Sequence, residues 1–205
     1  MNVQEATTRR LPDLKERHLP ENCRETINTI LKETYGYEQF RNLEIYDDLS
    51  KGKEKLCISQ GQLIENVILE AEKAWKGETQ VDNILLTAPT GSGKSLLFQL
   101  PAIYLGKEYN LLTIVVSPLK ALIVDQVESL QELGYTRVAY ASSDLSPEQK
   151  MEVYRQVREG EIDLFYLSPE LLLSYDIKHF VGERRIGLVV VDEAHTVTTW
   201  GKIGR

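Results

Sequence analysis

Five short apolar runs alternate with segments of helical periodicity over the second part of the chain. Most of these runs are continuously apolar, which is typical of strands covered on both faces in a parallel sheet. The second helical segment ends at Gly134, a residue type that often terminates helices. The pattern predicts an α/β fold with a doubly wound, mostly parallel sheet of the phosphate-loop type. The predicted strands are residues 83–88, 111–117, 137–141, 163–168 and 187–192, and the predicted helical segments between them are residues 95–107, 119–134 and 146–160.

Two further segments upstream, residues 22–40 and 59–77, also carry helical periodicity. Between them, residues 41–57 are charged and contain a glycine, a composition typical of a surface insertion. We therefore divide the chain into an N-terminal helical extension, residues 1–80, and an α/β domain, residues 81–205.

The composition is that of a globular protein, with 42% hydrophobic and 27% charged residues in a chain of 205. No apolar run is long enough to cross a bilayer and the N-terminus lacks a secretory signal, so we expect a soluble, cytoplasmic protein, with nucleoid or nuclear association left open. Cys23 and Cys57 lie far apart without metal-ligand spacing, which indicates reduced thiols. The formal net charge of −7 argues against indiscriminate coating of nucleic acid but leaves room for a local basic groove.

The segment "TAPTGSGKS" follows the first predicted strand and has the spacing of a phosphate-binding loop that begins at Ala88. Its glycines can adopt backbone angles closed to other residues, so the loop can wrap a phosphate chain with its N–H groups. We expect Lys94 to neutralise the β- and γ-phosphates and the Ser95 hydroxyl to bind Mg²⁺. An ordinary glycine-rich turn is the alternative. The predicted phosphate-binding residues are Thr90, Gly91, Ser92, Gly93, Lys94 and Ser95.

Two carboxylates, Asp192 and Glu193, follow the last predicted strand. Because the carboxyl ends of parallel strands share one edge of a sheet, we expect them beside the phosphate loop. Asp192 is assigned to the metal and Glu193 to the water that attacks the γ-phosphate. Capping of a helix by these acidic residues is the alternative.

Two Ser-Pro pairs, Ser117-Pro118 and Ser168-Pro169, also follow predicted strands. In each pair, we expect the serine to cap the next helix and the proline to occupy its first turn. Such helix starts can bind the phosphates of a nucleic acid, and pure capping is the alternative. A third such serine, Ser146, is interpreted as a cap only.

Two residues near the C-terminus have more than one interpretation. Trp200 is either a core residue or an exposed ring on which a base stacks. His195 is either a structural hydrogen-bonding residue or a coupler between nucleotide hydrolysis and motion.

Four segments together resemble, in order and spacing, successive motifs of the superfamily 2 helicases and specifically of RecQ-like DNA helicases. They are "TAPTGSGKS", "VVSPLKALIVDQV", "LFYLSPELL" and "VVVDEAHTVTTWG". The stretch "SSDLSPEQKMEVYRQVREGEIDLFYLSPE" is similar to the RecQ segment between motifs, and "TYGYEQFR" is similar to the family's adenine-binding motif. The resemblance covers nearly all of residues 30–201.

The resemblance implies ATP-driven 3′-to-5′ unwinding of DNA by two RecA-like domains, with ATP and Mg²⁺ as cofactors. Tyr37 and Arg41 would then flank the adenine, and Gln60 is the candidate for the glutamine that pairs with its N6 and N7. In the family this glutamine follows the Phe-Arg pair almost at once, whereas a charged insertion intervenes here.

The chain also departs from the family at its end, where it reads "WGKIGR" instead of continuing with His-Asp-Phe-Arg. The motif III strand and the second RecA-like domain are absent from the 205 residues. We therefore expect the first motor lobe of a RecQ-like helicase, acting on single-stranded or partly duplex DNA together with a second RecA-like domain, and weakly active or inactive alone. The alternatives are the lobe of a DEAD/DEAH-type RNA helicase and a non-catalytic nucleotide-binding module of a larger assembly.

Overall fold

The computed structural model of the protein describes residues 17–46, 55–86 and 91–194. The chain divides into two compact units, Met1–Tyr104 and Leu105–Arg205. Because a division into compact units need not coincide with a boundary between domains, the boundary expected after residue 80 stays a prediction. None of the helices in the described ranges is long and apolar enough to cross a membrane.

The first unit begins with helix α1 (Glu21–Tyr35), which buries Ile27, Ile30 and Leu31. The helix ends at Gly36, whose φ of 69° lets its N–H donate to carbonyls of the last helical turn. The remaining elements of this unit are strands β1 (Asn42–Tyr46) and β2 (Lys55–Ser59), helix α2 (Gln60–Trp75) and the first part of helix α3 (Leu96–Tyr109). The helices predicted in residues 22–40 and 59–77 are thus confirmed.

The insertion between these helices contains the antiparallel strands β1 and β2, with Asn42 opposite Ser59 and Tyr46 opposite Lys55. The N-terminal extension thus contains a strand pair between its two helices. Backbone hydrogen bonds join the two strands, so a charged side chain is tolerated at the exposed position Glu44; Asn42 is likewise exposed, while Ile58 is buried. The pairing continues past the strands, since the Gln60 N–H donates to the Arg41 carbonyl at 2.9 Å.

The predicted strand 83–88 is not found in its described part, residues 83–86. The Leu85 side chain is 82% exposed there and Ile84 is 44% exposed. An apolar run becomes a strand only when a neighbouring strand pairs with it, because its backbone groups need partners. Among the described residues, none forms a ladder with this segment. Residues 87 and 88 lie outside the described ranges.

The second unit confirms the predicted α/β class. Within its described part, four strands form one parallel sheet in the order β4-β5-β3-β6, with helices in the connections. The four strands lie within one residue of their predicted bounds, and the predicted helices are present. The elements are β3 (Leu112–Val116), α4 (Lys120–Glu132), β4 (Val138–Ala141), α5 (Pro147–Arg158), β5 (Leu164–Leu167), α6 (Pro169–Ser174), α7 (Ile177–Val181) and β6 (Ile186–Val191).

The core of the second unit lies around strands β3 and β5, in which every residue is buried. Phe165 of β5 packs with Tyr154 of α5 and Phe180 of α7, all buried. Strand β6 differs, since Val189 is 58% exposed and Val191 is 43% exposed. Coverage of both faces is thus confirmed for β3 and β5 but not for β6, which pairs with β3 alone among the described residues.

Candidate functional site

The phosphate loop leads directly into helix α3. Gly91 and Gly93 have φ values of 80° and 79°, in the left-handed region that glycine adopts most easily. The Leu96 N–H donates to the Gly93 carbonyl at 3.2 Å and the Leu97 N–H to the Lys94 carbonyl at 3.0 Å, so the first helical turn already forms over Lys94 and Ser95. The N–H groups at such a helix start lack partners further back in the helix and attract phosphate. Ala88 and Thr90 lie outside the described residues.

Two details of the loop test whether it fits a nucleotide phosphate chain. A Cβ atom on Gly93 would lie 2.7 Å from Gln60 Nε2, so any other residue would displace the Gln60 amide and would also be strained at a φ of 79°. The Ser92 hydroxyl is buried without a hydrogen-bond partner among the described residues. The left-handed backbone at Gly93, the unpaired Ser92 hydroxyl and the Lys94 ammonium together suit the binding of a phosphate chain with its metal ion.

Gln60, the first residue of α2, connects this loop to the segment that resembles the adenine-binding motif. Its side-chain Nε2 donates to the Ser92 carbonyl at 3.3 Å, and its Oε1 accepts from the Arg41 N–H at 3.1 Å. Gln60 is only 2% exposed. The amide retains one N–H and one lone pair for a further partner. The structure therefore brings Arg41, Gln60 and the phosphate loop together, as the resemblance implied.

Tyr37 and Arg41 form the exposed side of this segment. The Arg41 guanidinium carbon lies 5.7 Å from the centroid of the Tyr37 ring, and Tyr37 is 47% exposed. The Tyr37 ring also stacks on Tyr35 at a centroid distance of 6.4 Å, and the Tyr35 hydroxyl donates to Gln99 Oε1 at 3.3 Å. An aromatic ring and a guanidinium plane are both surfaces on which a base can stack.

Sequence reasoning missed two residues at this site, Phe40 and Gly61. They lie on either side of the Arg41–Gln60 pair in the chain, and a Cβ atom on Gly61 would lie 2.6 Å from Phe40 Cδ2. No sequence signal identifies this contact, because it depends on the register of β1 and β2.

Asp192 and Glu193 lie in the second unit, at the carboxyl end of β6. The Asp192 N–H donates to the Val116 carbonyl at 2.9 Å, and Asp192 Oδ1 accepts from the Glu193 N–H at 2.9 Å. Glu193 has a φ of 50°, an uncommon value for a residue other than glycine. Strained backbone of this kind clusters at functional sites. The metal and water roles of these carboxylates stay predictions.

The residues that follow strands β3, β5 and β6 lie at one edge of the sheet, as predicted. The Ser117 N–H donates to the Leu167 carbonyl at 3.1 Å, while Asp192 is bonded to Val116 on the other side. The sheet thus presents Ser117, Ser168 and Asp192 from neighbouring strands. His195 and Trp200 lie outside the described residues.

The two Ser-Pro pairs differ in the structure. Ser168 caps α6, since its hydroxyl accepts from the Leu171 N–H at 3.4 Å, and the buried Pro169 occupies the first turn. The same expectation for Ser117 is wrong, because α4 begins at Lys120 and has Leu119 at its N-cap position. Pro118 therefore lies outside the helix. The nucleic-acid contacts expected of both pairs stay predictions.

The chain is similar to known helicases over most of its length. The family described as DEAD/DEAH box helicase matches residues 62–204. The chain is 33% identical over 180 residues to an ATP-dependent DNA helicase RecQ of Synechocystis sp., which covers 87% of this chain and 31% of that protein. It is 34% identical over 177 residues to ATP-dependent DNA helicase Q-like 5 of Arabidopsis thaliana, with coverages of 86% and 16%. It is 32% identical over 173 residues to an ATP-dependent DNA helicase RecQ of Bacillus subtilis, with coverages of 84% and 24%. The chain thus spans less than a third of the length of these relatives.

Proposed function

Since the chain belongs to the DEAD/DEAH box helicase family and is RecQ-like in sequence, we propose that it is an ATP-binding motor lobe of a DNA helicase. The observation that carries this proposal is the pair of hydrogen bonds of the Gln60 amide, which accepts from the Arg41 N–H and donates to the Ser92 carbonyl. They join a segment suited to stacking a base with a loop suited to holding phosphates.

The residues of the first unit divide the binding of ATP between them. Lys94 and the N–H groups of the loop would hold the phosphates, and the Ser95 hydroxyl would be a magnesium ligand. Tyr37 and Arg41 enclose the adenine, and Gln60 uses its remaining N–H and lone pair to recognise N7 and N6. Bound Mg²⁺ would neutralise charge on the β- and γ-phosphates.

The acidic residues of the second unit carry the proposed chemistry of hydrolysis. Asp192 would be the second magnesium ligand, and Glu193 would orient the attacking water and accept its proton. Asp192 Oδ1 accepts the Glu193 N–H, which fixes the peptide between the two carboxylates.

Single-stranded or partly duplex DNA is the proposed partner, together with a second RecA-like domain that supports 3′-to-5′ unwinding. Ser117, Pro118, Ser168 and Pro169 are proposed to position the DNA backbone, and Trp200 to stack on a base. Such contacts to phosphates carry no sequence information, so the lobe is expected to bind DNA of any sequence.

Nucleotide binding by the 205-residue chain tests the first part of the proposal. Titration calorimetry with Mg²⁺ and ATP is expected to show binding that Lys94→Ala weakens about tenfold or more, since one cation of the phosphate site is lost. Lys107→Ala removes an equally charged but exposed lysine near the end of α3 and serves as the matched control. Equal affinity of Lys94→Ala and the unsubstituted chain would overturn the proposed site.

Fluorescence anisotropy with labelled single strands of one sequence, as DNA and as RNA, tests the partner. The proposal expects tighter binding of DNA. Tighter binding of RNA would instead favour the lobe of a DEAD/DEAH-type RNA helicase. Tight ATP binding without any turnover, in the presence of DNA and a second RecA-like domain, would favour a non-catalytic module.

A further inference from the structure

The insertion between Arg41 and Gln60 does not separate these residues in space. They lie 19 positions apart in sequence, yet the Gln60 N–H donates to the Arg41 carbonyl and the Arg41 N–H donates to Gln60 Oε1. The register of the strands explains this proximity, because Asn42 opposite Ser59 places Arg41 opposite Gln60 as the next pair. The antiparallel pair of β1 and β2 therefore closes the insertion at its base.

The next pair in the same register is Phe40 and Gly61, and it is unusually close. A Cβ atom on Gly61 would lie 2.6 Å from Phe40 Cδ2, 3.0 Å from Cε2 and 3.1 Å from Cγ. Gly61 also donates its N–H to the Ser59 hydroxyl at 3.2 Å, within the N-cap of α2. The absence of a side chain at position 61 thus lets the Phe40 ring lie directly against the start of α2.

We propose that Gly61 and Phe40 are positioning residues for base recognition, which hold Gln60 against residue 41 and Ser92 so that the site prefers adenine over guanine. This inference rests on the proposed function, since it assigns base selectivity to the nucleotide site described above. A side chain at position 61 displaces either the Phe40 ring or the first turn of α2. Each displacement moves the Gln60 amide, because Phe40 is bonded to Arg41 and Gly61 to Gln60 along the chain.

The phosphate-binding part is expected to remain intact when this contact is lost. The turn over Gly93, Lys94 and Ser95 is closed by its own hydrogen bonds to the start of α3. A ligand that has phosphates but no base therefore separates the two parts. Inorganic tripolyphosphate serves as this probe, beside ATP and GTP.

A chain with a shortened connection between β1 and β2 tests the role of the strand pair itself. Tyr46 and Lys55 are opposite each other at the far end of the two strands. Replacing residues 47–54 by Asn-Gly, a pair suited to a two-residue hairpin turn, retains the register at Arg41 and Gln60. This shortened chain is expected to keep the unsubstituted preference for ATP.

The experiment measures the affinities of ATP, GTP and tripolyphosphate for the 205-residue chain with Mg²⁺. Gly61→Ala is expected to weaken ATP binding about tenfold, towards the GTP value, because one pair of base contacts is misplaced. Its tripolyphosphate affinity is expected to stay within about twofold of the unsubstituted value. Gly77→Ala is the matched control, because Gly77 has a φ of 79° and no atom within 4 Å of an added Cβ. It strains the backbone of the same unit without touching the site, so its ratio of ATP to GTP affinity should not change.

Two further variants separate positioning from loss of folding. Phe40→Leu in the Gly61→Ala background makes room for the added methyl group and is expected to restore part of the ATP preference. Phe40→Ala alone removes the ring and is expected to lower the preference while Gly61 is retained. It provides the decisive measurement where far-ultraviolet circular dichroism shows that Gly61→Ala is unfolded.

The outcomes distinguish this inference from the proposed function. If the unsubstituted chain binds neither ATP nor tripolyphosphate, both are overturned. If it binds both ligands but Gly61→Ala and Phe40→Ala keep its ratio of ATP to GTP affinity, or if it shows no preference for ATP, only the positioning role is overturned. A lower ratio for both variants, with tripolyphosphate affinity retained, supports the inference.

Discussion

Arg184 donates a hydrogen bond from Nη2 to Asp163 Oδ1 at 2.8 Å, and both side chains are buried, with 5% and 3% of their surface exposed. Arg137 adds two hydrogen bonds to the same carboxylate, from Nε at 2.6 Å and Nη2 at 2.9 Å. Hydrogen bonding to Asp163 raises the pKa of Arg137 above its ordinary value, although burial opposes the shift. Asp163 precedes β5, Arg184 precedes β6 and Arg137 precedes β4. One carboxylate therefore links the amino ends of three strands through its hydrogen bonds.

Asp163→Asn is therefore expected to destabilise the chain by about 3–5 kcal/mol, because it leaves the buried Arg184 guanidinium without a charge partner. Urea unfolding at pH 7 measures this change. Asp144→Asn is the control, since Asp144 pairs with Lys120 on the surface and its loss is expected to leave the midpoint unchanged. A midpoint for Asp163→Asn close to that of Asp144→Asn would contradict the assigned role of Asp163.

Glu70 of α2 is a second buried carboxylate with several donors. It accepts from Arg17 Nη2 at 2.6 Å, from the Asp82 N–H at 2.9 Å and from Lys73 Nζ at 3.0 Å. Burial alone would raise the pKa of Glu70, but these hydrogen bonds and the Arg17 charge lower it below the ordinary value of 4.5. Glu70 thus favours the folded state in its ionised form.

The lowered pKa fixes the sign of a pH dependence. The stabilisation by Glu70 is fully present above its unfolded pKa and is lost as pH falls through the lower folded pKa. Glu70→Gln is expected to destabilise the chain by about 1–3 kcal/mol at pH 7, because charged hydrogen bonds are lost. Urea unfolding from pH 7 down to pH 3 should show the difference between the two chains shrinking below pH 4.5. A difference that is constant over this range would contradict the interpretation.

Glu193 provides a test of backbone strain at the candidate site. Its φ of 50° lies in the left-handed region, where a side chain is unfavourable by about 1–2 kcal/mol. Glycine avoids this strain but adds freedom to the unfolded chain, so Glu193→Gly is expected to stabilise the fold by up to about 1 kcal/mol. Glu193→Gln keeps the strain and removes the charge, so it is the matched control. A lower unfolding midpoint for Glu193→Gly than for Glu193→Gln would contradict this prediction.

The parts of this molecule that could be predicted depend on local sequence. Strands β3 to β6 were located because each is a short apolar run, and Lys94 and Ser95 because the phosphate loop is contiguous. The hydrogen bond from Gln60 to Ser92 joins residues 32 positions apart. It depends on the register of β1 and β2, which the charged sequence of this segment does not predict. The segment 83–86 failed as a predicted strand for the same reason, since pairing is a property of two segments.

Three Ser-Pro pairs precede helices, but only two of their serines, Ser146 and Ser168, cap the helix that follows. The hydroxyls of Ser168 and Ser146 accept from the backbone N–H groups of Leu171 and Gln149, and the Ser146 N–H donates to Gln149 Oε1. Replacing either serine by alanine is expected to destabilise the chain by about 0.5–2 kcal/mol, because the helix start loses a partner. Ser117→Ala should be neutral or slightly stabilising. The buried Ser117 hydroxyl has no hydrogen-bond partner among the described residues, so the substitution removes the cost of burying an unpaired polar group. Urea unfolding of the three variants side by side decides the point, and a Ser117→Ala chain as unstable as Ser168→Ala would mean that Ser117 caps α4 after all.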